Sequence, residues 1–143
     1  MVFWILVLGV VGLVAFIRLA PHDVERWHRQ SSASGMGEIR SASGFVWRQA
    51  VDGDGTDLLR KLDAAATATP RTTRLTGSIE DAKITYITRS RIMGFPDYAT
   101  IGLYEGPVAD GTGRYLEINS RLRFGKSDLG VNRQRVKGWL SAL

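Results

Sequence analysis

The chain has 143 residues, no cysteine, two histidines and a formal net charge of +5 at pH 7. This length allows a single domain with a real hydrophobic core, and the absence of cysteine excludes disulfides, iron–sulfur ligation and thiol catalysis. The charge excess is confined to the residues from Arg114 onward, which include seven basic and two acidic side chains. No nucleic-acid-binding motif accompanies this excess. We therefore expect no nucleic-acid partner, and no pattern predicts a cofactor or a metal site.

Residues 1–20 are predicted to be a single transmembrane anchor. Met1 to Ile17 contains no charged side chain, and at about 1.5 Å per residue this stretch reaches about 25 Å, the short end of a membrane span. Arg18 can extend its charge to one boundary, and Trp4 suits the opposite interface. The alternative is a cleaved signal peptide, which requires a basic start and small residues before the cut, and here Pro21 would follow the cut. The sequence favours an uncleaved anchor.

Basic residues follow this apolar segment and none precedes it. Taken alone, the pattern favours a cytoplasmic location for the rest of the chain. Large domains, however, translocate largely regardless of their charge. The sequence pattern therefore leaves both sides of the membrane open.

Residues 21–44 are predicted to be a juxtamembrane segment followed by a linker. A short amphipathic helix around Trp27 suits the level of the lipid headgroups. Ser31 to Gly44 is rich in Ser, Ala and Gly and has no apolar period, which is typical of a linker. The spacing of His22 and His28 does not place them on one helical face, which favours solvated histidines over a metal-binding pair.

From residue 45 to residue 143 the pattern predicts one globular α+β domain. Strands are predicted over 45–49, 71–78, 83–93, 98–104 and 115–124, and helices from Thr56 or Asp57 to Pro70 and from Asn132 to the C-terminus. A tight turn is expected over 94–97, and a hairpin loop over 105–113. These elements predict an antiparallel sheet of about four to five strands packed against two helices. The second face of the sheet is expected to be polar and basic.

A basic cluster is the main candidate site. Two pairs of arginines, each on its own predicted strand, are expected to share one sheet face. They would lie close to a lysine in a glycine-rich turn and to the N-terminus of the last helix, capped by Asn132. The candidate anion- or partner-binding residues are Arg89, Arg91, Arg121, Arg123, Lys126, Asp128, Asn132 and Arg135. The residues expected to shape turns are Gly94, Pro96, Asp97, Gly125 and Gly130. In the alternative interpretation the arginines pair internally with Asp97, Asp128 and Glu117, and both interpretations can hold together.

Three segments carry a resemblance to a known family. They are Ala68–Thr73, Gly94–Asp97 and Ser120–Asn132, the last followed by Arg135. With them the chain resembles, over roughly residues 45–143, an uncharacterised bacterial family with plastid relatives that is catalogued as domain of unknown function 1499. The resemblance implies a fold but no established activity. Many members look like exported lipoproteins or signal-anchored proteins, and this resemblance implies a periplasmic domain. Many of the lipoprotein type have cysteines near the N-terminus, and this chain has none.

The predicted function is that of a non-catalytic accessory protein. Residues 1–20 would contact membrane lipid in the bacterial inner membrane, and the domain would dock onto a larger membrane-protein complex, aided by the local concentration that an anchor provides. One alternative is a binding module that takes an anionic small molecule or a lipid headgroup through the arginine cluster, although no particular small-molecule ligand can be assigned. A second alternative is a small hydrolase that uses Asp97 and Asp128 as an acid–base pair.

Overall fold

The computed structural model describes residues 1–143. Its elements are α1 (Val2–Leu19), α2 (Val24–Trp27), β1 (Gly37–Ser41), β2 (Gly44–Ala50), α3 (Thr56–Ala68), β3 (Thr72–Ser78), β4 (Lys83–Arg89), β5 (Pro96–Val108), β6 (Gly111–Leu122) and α4 (Val131–Leu140). The strands form one antiparallel sheet in the order β1-β2-β6-β5-β4-β3. The predicted α+β class and the two helices against the sheet are confirmed. The sheet has six strands rather than the predicted four to five.

The N-terminal helix α1 stands apart from the domain along most of its length. It is apolar throughout, and Ile17, in its last turn, is its one buried residue. By length and composition α1 is able to cross a membrane, a property that membrane anchors and N-terminal signal sequences share. The predicted apolar helix is therefore present.

Helices α3 and α4 cover one face of the sheet. The apolar spacing in α3 buries Leu59, Leu62 and Ala66, and α4 contributes Val136 and Trp139 to the same core. Full burial of a valine or leucine side chain contributes about 1.5–3 kcal/mol to stability relative to leaving it exposed. The sheet supplies the other side of the core with Ile84, Tyr86, Ile101, Leu116 and Ile118. This is the face that the strand alternation predicts to be apolar.

Strands β5 and β6 form a hairpin that is longer than the sequence predicts. Their register continues to the pair Val108↔Gly111, so most of the predicted loop over 105–113 is strand. The loop prediction was wrong because glycine and proline are usually depleted in strands. Here Gly106 makes room for an aromatic ring, since a Cβ built on it would lie 3.2 Å from the Tyr115 ring. Ring packing over a glycine compensates for its missing side chain.

The connection between β4 and β5 also differs from the prediction. Strand β4 ends at Arg89, and the backbone N–H of Ser90 donates to the carbonyl of Phe95, which closes a loop over residues 90–95. Gly94 lies in this loop with φ +76°. Pro96 and Asp97, which were expected in the turn, are the first two residues of β5. Proline is tolerated at a strand's first residue, where its missing N–H removes no essential ladder bond.

Residues 20–31, which we call the strap, cover part of the second sheet face. The sequence predicts a polar and basic surface there, but the buried Trp27 packs with Ile87 and Tyr98 of the sheet in a second, smaller core. The predicted linker differs too, because Gly37–Ser41 forms β1 and pairs with β2. A sheet face that carries tyrosine and isoleucine exposes apolar area unless another segment covers it, and the strap does so.

Candidate functional site

Three of the predicted anion-binding arginines donate hydrogen bonds to backbone carbonyls at the α1 end of the chain and in the strap. Arg89 Nη2 donates to the carbonyl of Arg18 at 3.2 Å. Arg123 Nη1 donates to the carbonyl of Pro21 at 3.0 Å, and Arg121 Nη2 donates to the carbonyl of Trp27. The chain from the end of α1 through the short helix α2 therefore runs along the sheet from one guanidinium to the next.

An aromatic stack fixes the middle of the strap. The Trp27 and Tyr98 rings are nearly parallel, with an interplanar angle of 7° and centroids 4.0 Å apart. His22 lies beside them and bonds Tyr98 Oη through Nδ1 at 2.6 Å. Arg89 donates to His22 Nε2 at 3.2 Å, which makes Nδ1 the protonated nitrogen of a neutral ring. Burial, followed by the positive charges of Arg89 and Arg123, lowers the pKa of His22 and favours this form.

A buried ion pair holds the end of the strap. Arg48 on β2 and Glu117 on β6 approach to 2.7 Å, and their side chains are only 8% and 1% exposed. The backbone N–H and the hydroxyl of Ser31 both donate to the same carboxylate, at 2.7 and 2.9 Å. Breaking such a pair on one side costs about 3–5 kcal/mol, because it leaves an uncompensated buried charge. Glu117 therefore pairs with Arg48, which lies outside the predicted cluster, and not with an arginine of that cluster as the internal-pairing alternative expects.

Arg121 is a partly buried member of the predicted cluster. Burial, and to a smaller degree the neighbouring Arg29, lowers the pKa of Arg121 to about 10. Its guanidinium also donates to the backbone carbonyl of Asn119 at 2.9 Å and lies over the Trp27 ring, 5.4 Å from the ring centroid. Arg121 thus holds the strap through backbone carbonyls.

A separate polar network lies on the helix-covered face of the sheet. Arg135 on α4 donates to Asp97 at 3.1 Å and to Asn132 Oδ1 at 2.7 Å. Asn132 Oδ1 also accepts a hydrogen bond from the buried hydroxyl of Ser120. Burial raises the pKa of Asp97, and the charge of Arg135 opposes this shift. The structure therefore places Arg135 and Asn132 away from the strap-binding arginines, on the opposite face of the sheet.

Asp128 fixes the start of α4. Its two carboxylate oxygens accept hydrogen bonds from the backbone N–H groups of Gly130 and Asn132, both at 3.0 Å. Burial acts against ionisation here, but these hydrogen bonds keep the pKa of Asp128 below its ordinary value. The prediction that Asn132 caps the helix was wrong, because the helix begins at Val131 and the capping position is Gly130 with φ +81°. Asp128 satisfies the free N–H groups instead.

The turn before α4 contains two predicted turn glycines and brings Asp128 near Asp97. Gly125 and Gly130 have φ of +99° and +81°, so the glycine positions in this turn have the left-handed backbone that glycine favours. Lys126 is exposed between them. Asp97 and Asp128 lie near enough for the charge of Asp128 to affect the pKa of Asp97. Both carboxylates, however, are engaged by a guanidinium or by helix N–H groups.

Four arginines line an open cavity at the end of the domain nearest α1. The cavity measures about 440 Å³ and is lined by Arg18, Arg71, Thr73, Arg89, Ser90, Arg91 and Gly94. Arg91 lies in the loop after β4 rather than on the strand where it was predicted. Sequence reasoning did not include Arg18 and Arg71 in the cluster. The antiparallel pairing of β3 with β4, Thr72↔Thr88, is the signal that would have placed Arg71 beside Arg89.

The amino-acid sequence of the domain matches a known protein family. The sequence model described as "Protein of unknown function (DUF1499)" matches residues 48–143, which is more than half of the chain. The chain belongs to the DUF1499 family. No curated protein and no solved structure matches it. The matched part of the DUF1499 domain runs from within β2 to the C-terminus, and it contains Arg71, Arg89 and Arg91 but neither Arg18 nor the strap.

The last turn of α1 contacts the DUF1499 domain directly. The ring of Phe16 lies edge-on to that of Phe124, with centroids 6.3 Å apart, and Phe124 in turn contacts Phe95 at 6.1 Å. Arg18 Nη2 donates to the carbonyl of Ile92 at 3.3 Å. The loop over 90–95 and the turn after β6 therefore lie at the level where α1 ends. No group of three or more acidic or histidine side chains in the domain is arranged to hold a metal ion.

Proposed function

We propose that the chain is a non-catalytic accessory protein in which α1 is an uncleaved membrane anchor and the DUF1499 domain docks onto a larger complex of the bacterial inner membrane. The observation that carries this proposal is the strap. Arg121 and Arg123 bind the backbone of the strap, Arg89 binds the backbone in the last turn of α1, and Trp27 is buried on the sheet. The domain is therefore held at the end of α1 in one orientation instead of on a free tether.

A fixed orientation supports docking in two ways. The anchor raises the local concentration of the domain near other membrane proteins, and a rigid attachment reduces the orientational freedom that binding would otherwise remove. The surface that we propose for docking is the turn between β6 and α4, where Leu129 is 90% and Val131 is 48% exposed. Leu129 also has φ +52°, which is uncommon for a residue with a Cβ and is a reason to suspect function. The exposed Lys126 adds a positive charge to this apolar patch.

The test is co-purification of a tagged full-length chain from native membranes in a mild detergent. We expect a stoichiometric membrane-protein partner with the unmodified chain and loss of that partner with Leu129→Glu. Leu143→Glu is the matched control, since Leu143 is also exposed, at 38%, but lies at the C-terminus. A lone monomer from the unmodified chain would contradict the docking proposal, and equal recovery with both variants would exclude the β6–α4 turn as the contact.

The proposal places the domain in the periplasm. This part rests on the resemblance to exported and signal-anchored relatives, and it opposes the local charge pattern, in which arginines follow the apolar segment. A C-terminal alkaline phosphatase fusion, which is active only after export, is expected to be active. An inactive phosphatase fusion, together with a fluorescent C-terminal fusion to a reporter that fluoresces only in the cytoplasm, would place the domain on the cytoplasmic side.

A second function, the binding of an anion, is favoured by one specific observation. The cavity beside α1 is lined by four arginines and by no acidic residue. Such a cluster of guanidinium groups is suited to phosphate or carboxylate groups, which accept paired hydrogen bonds. Anion binding and docking use different surfaces of the domain, so the two functions are compatible.

A further inference from the structure

The arginines of the cavity are not neutralised by the protein. Arg18, Arg71 and Arg89 donate to the backbone carbonyls of Ile92, Arg89 and Gly94 respectively. None of the eight ion pairs of the molecule includes any of the four cavity arginines. Carbonyl partners hold a guanidinium in place but leave its positive charge uncompensated. The cavity is therefore a fixed concentration of positive charge.

The remaining hydrogen-bonding capacity suits a phosphate group. Each guanidinium has five N–H donors in a planar arrangement, and each of the three held arginines uses only part of this set on carbonyl oxygens. Ser90 and Thr73 also line the cavity and provide hydroxyl donors. An oxygen-rich, negatively charged group would both neutralise the charge and accept these donors.

The surroundings of the cavity indicate where such a phosphate comes from. Arg18 is the basic residue of the last turn of α1, so the cavity opens where that helix would leave the hydrocarbon. Apolar side chains surround this level, with Phe16 60%, Ile92 82% and Phe95 37% exposed. Exposed apolar and aromatic side chains beside arginines are typical of segments that lie in the membrane interface. Phospholipid phosphates occupy this same level.

We propose that this cavity binds the phosphate of an anionic phospholipid from the leaflet in which α1 ends, while Ile92 and Phe95 insert among its acyl chains. The inference rests on the proposed function in one respect, namely that α1 is a retained membrane anchor. Binding would fix the loop over 90–95 to the bilayer and so set the tilt of the domain. Arg91 is exposed, and unlike Arg18, Arg71 and Arg89 its guanidinium has no hydrogen-bond partner within the protein, so it is the cavity arginine left to bind the lipid most directly.

The experiment uses the full chain purified in a neutral detergent. Bound lipid is counted by native mass spectrometry after addition of dioleoyl phosphatidylglycerol or dioleoyl phosphatidylcholine. We expect one phosphatidylglycerol per chain and binding at least about tenfold tighter than that of phosphatidylcholine. Arg91→Glu is expected to weaken phosphatidylglycerol binding about 30-fold, because charge reversal removes one attraction and adds one repulsion.

The matched control is Lys61→Glu, an identical reversal of charge at an exposed residue of α3 outside the cavity. It is expected to leave phosphatidylglycerol binding within about twofold of the unmodified chain, because exposed charges more than about 10 Å apart are largely screened. Circular dichroism and thermal unfolding check that both variants are folded. Equal effects of the two variants, or no preference for phosphatidylglycerol, would overturn the proposal.

Two further measurements separate the possible sources and failures. Calorimetric titration with glycerol phosphate, which lacks acyl chains, is expected to show much weaker binding than the lipid. Equal affinity would reassign the cavity to a soluble phosphate ester and overturn the lipid proposal. The intact mass of the membrane-extracted chain tests the anchor separately. Loss of residues 1–17 would refute the proposed anchoring, whereas a retained α1 without lipid preference would refute only the inference drawn from the cavity.

Discussion

Replacement of Trp27 by alanine tests the role of the strap. The Trp27 side chain is 7% exposed and stacks on Tyr98 with centroids 4.0 Å apart. Loss of a buried tryptophan costs about 3–5 kcal/mol, and part of this is the stacking itself, about 0.5–1.5 kcal/mol. Trp27 belongs to a cluster of three buried residues that is separate from the main core of 13. We therefore expect the strap to open locally while the domain stays folded.

Hydrogen–deuterium exchange of the full chain in detergent measures this opening. A loss of about 3–5 kcal/mol corresponds to an exchange rate in residues 20–31 that rises roughly a hundredfold to a few thousandfold. If the strap's own stability is smaller than this loss, exchange reaches the unprotected rate. Amide groups of β5 and β6 are expected to keep their protection, since their ladder and the main core do not involve Trp27.

The control for this experiment is Trp4→Ala. Trp4 undergoes the same chemical change but lies in α1 and is 66% exposed, so exchange in the strap is expected to stay unchanged. Two results would refute the reasoning. Unchanged protection of residues 20–31 in Trp27→Ala would show that the stack does not hold the strap, and uniform loss of protection across β5 and β6 would show that the strap is part of the domain's cooperative core.

Two other predictions concern the contacts around the strap. Glu117→Leu is expected to lower the free energy of unfolding by about 3–5 kcal/mol, because it leaves Arg48 buried without its partner. Adding Arg48→Met to this variant is expected to recover most of the loss. Equal urea midpoints for the single and double variants would contradict the pairing. Burial and neighbouring positive charges lower the pKa of both His22 and His28. The unfolded histidines therefore bind protons at a higher pH than the folded ones, and the free energy of unfolding is expected to fall as pH drops below the ordinary histidine value of 6.5. Urea unfolding between about pH 7.5 and pH 5.5, a window in which histidine titrates and ordinary carboxylates do not, measures this change, and the variant His22→Asn/His28→Asn should remove it.

The elements of the domain were largely predictable because they depend on local spacing. The apolar period of α3 and the alternation along β6 each reflect which side chains face the core, and the structure has both elements. The prediction failed where local composition misleads. The glycines at the far end of β5 and β6 indicate a loop, but the Tyr115 ring packs over Gly106 and the Val108 side chain over Gly113.

The candidate site was predictable only in part. The alternation of side chains along β6 correctly groups Arg121 with Glu117 on one face of the strand, since Arg121 contacts the strap and Glu117 binds Ser31. It does not indicate the partners of these charges. The sequence offered external anions or internal carboxylates as partners of Arg121 and Arg123, and the structure has backbone carbonyls instead.

By itself the sequence determined an apolar N-terminal helix, an α+β domain with two helices on its sheet, and the family to which the domain belongs. Each of these follows from residues that are close together in the chain. Only the tertiary structure decided that residues 20–31 form a strap and that Arg18 joins Arg71, Arg89 and Arg91 around one cavity. The bond between Arg123 and Pro21 spans 102 positions of sequence, and a contact over that distance has no local pattern, because it arises only when the sheet has formed and one of its faces needs cover.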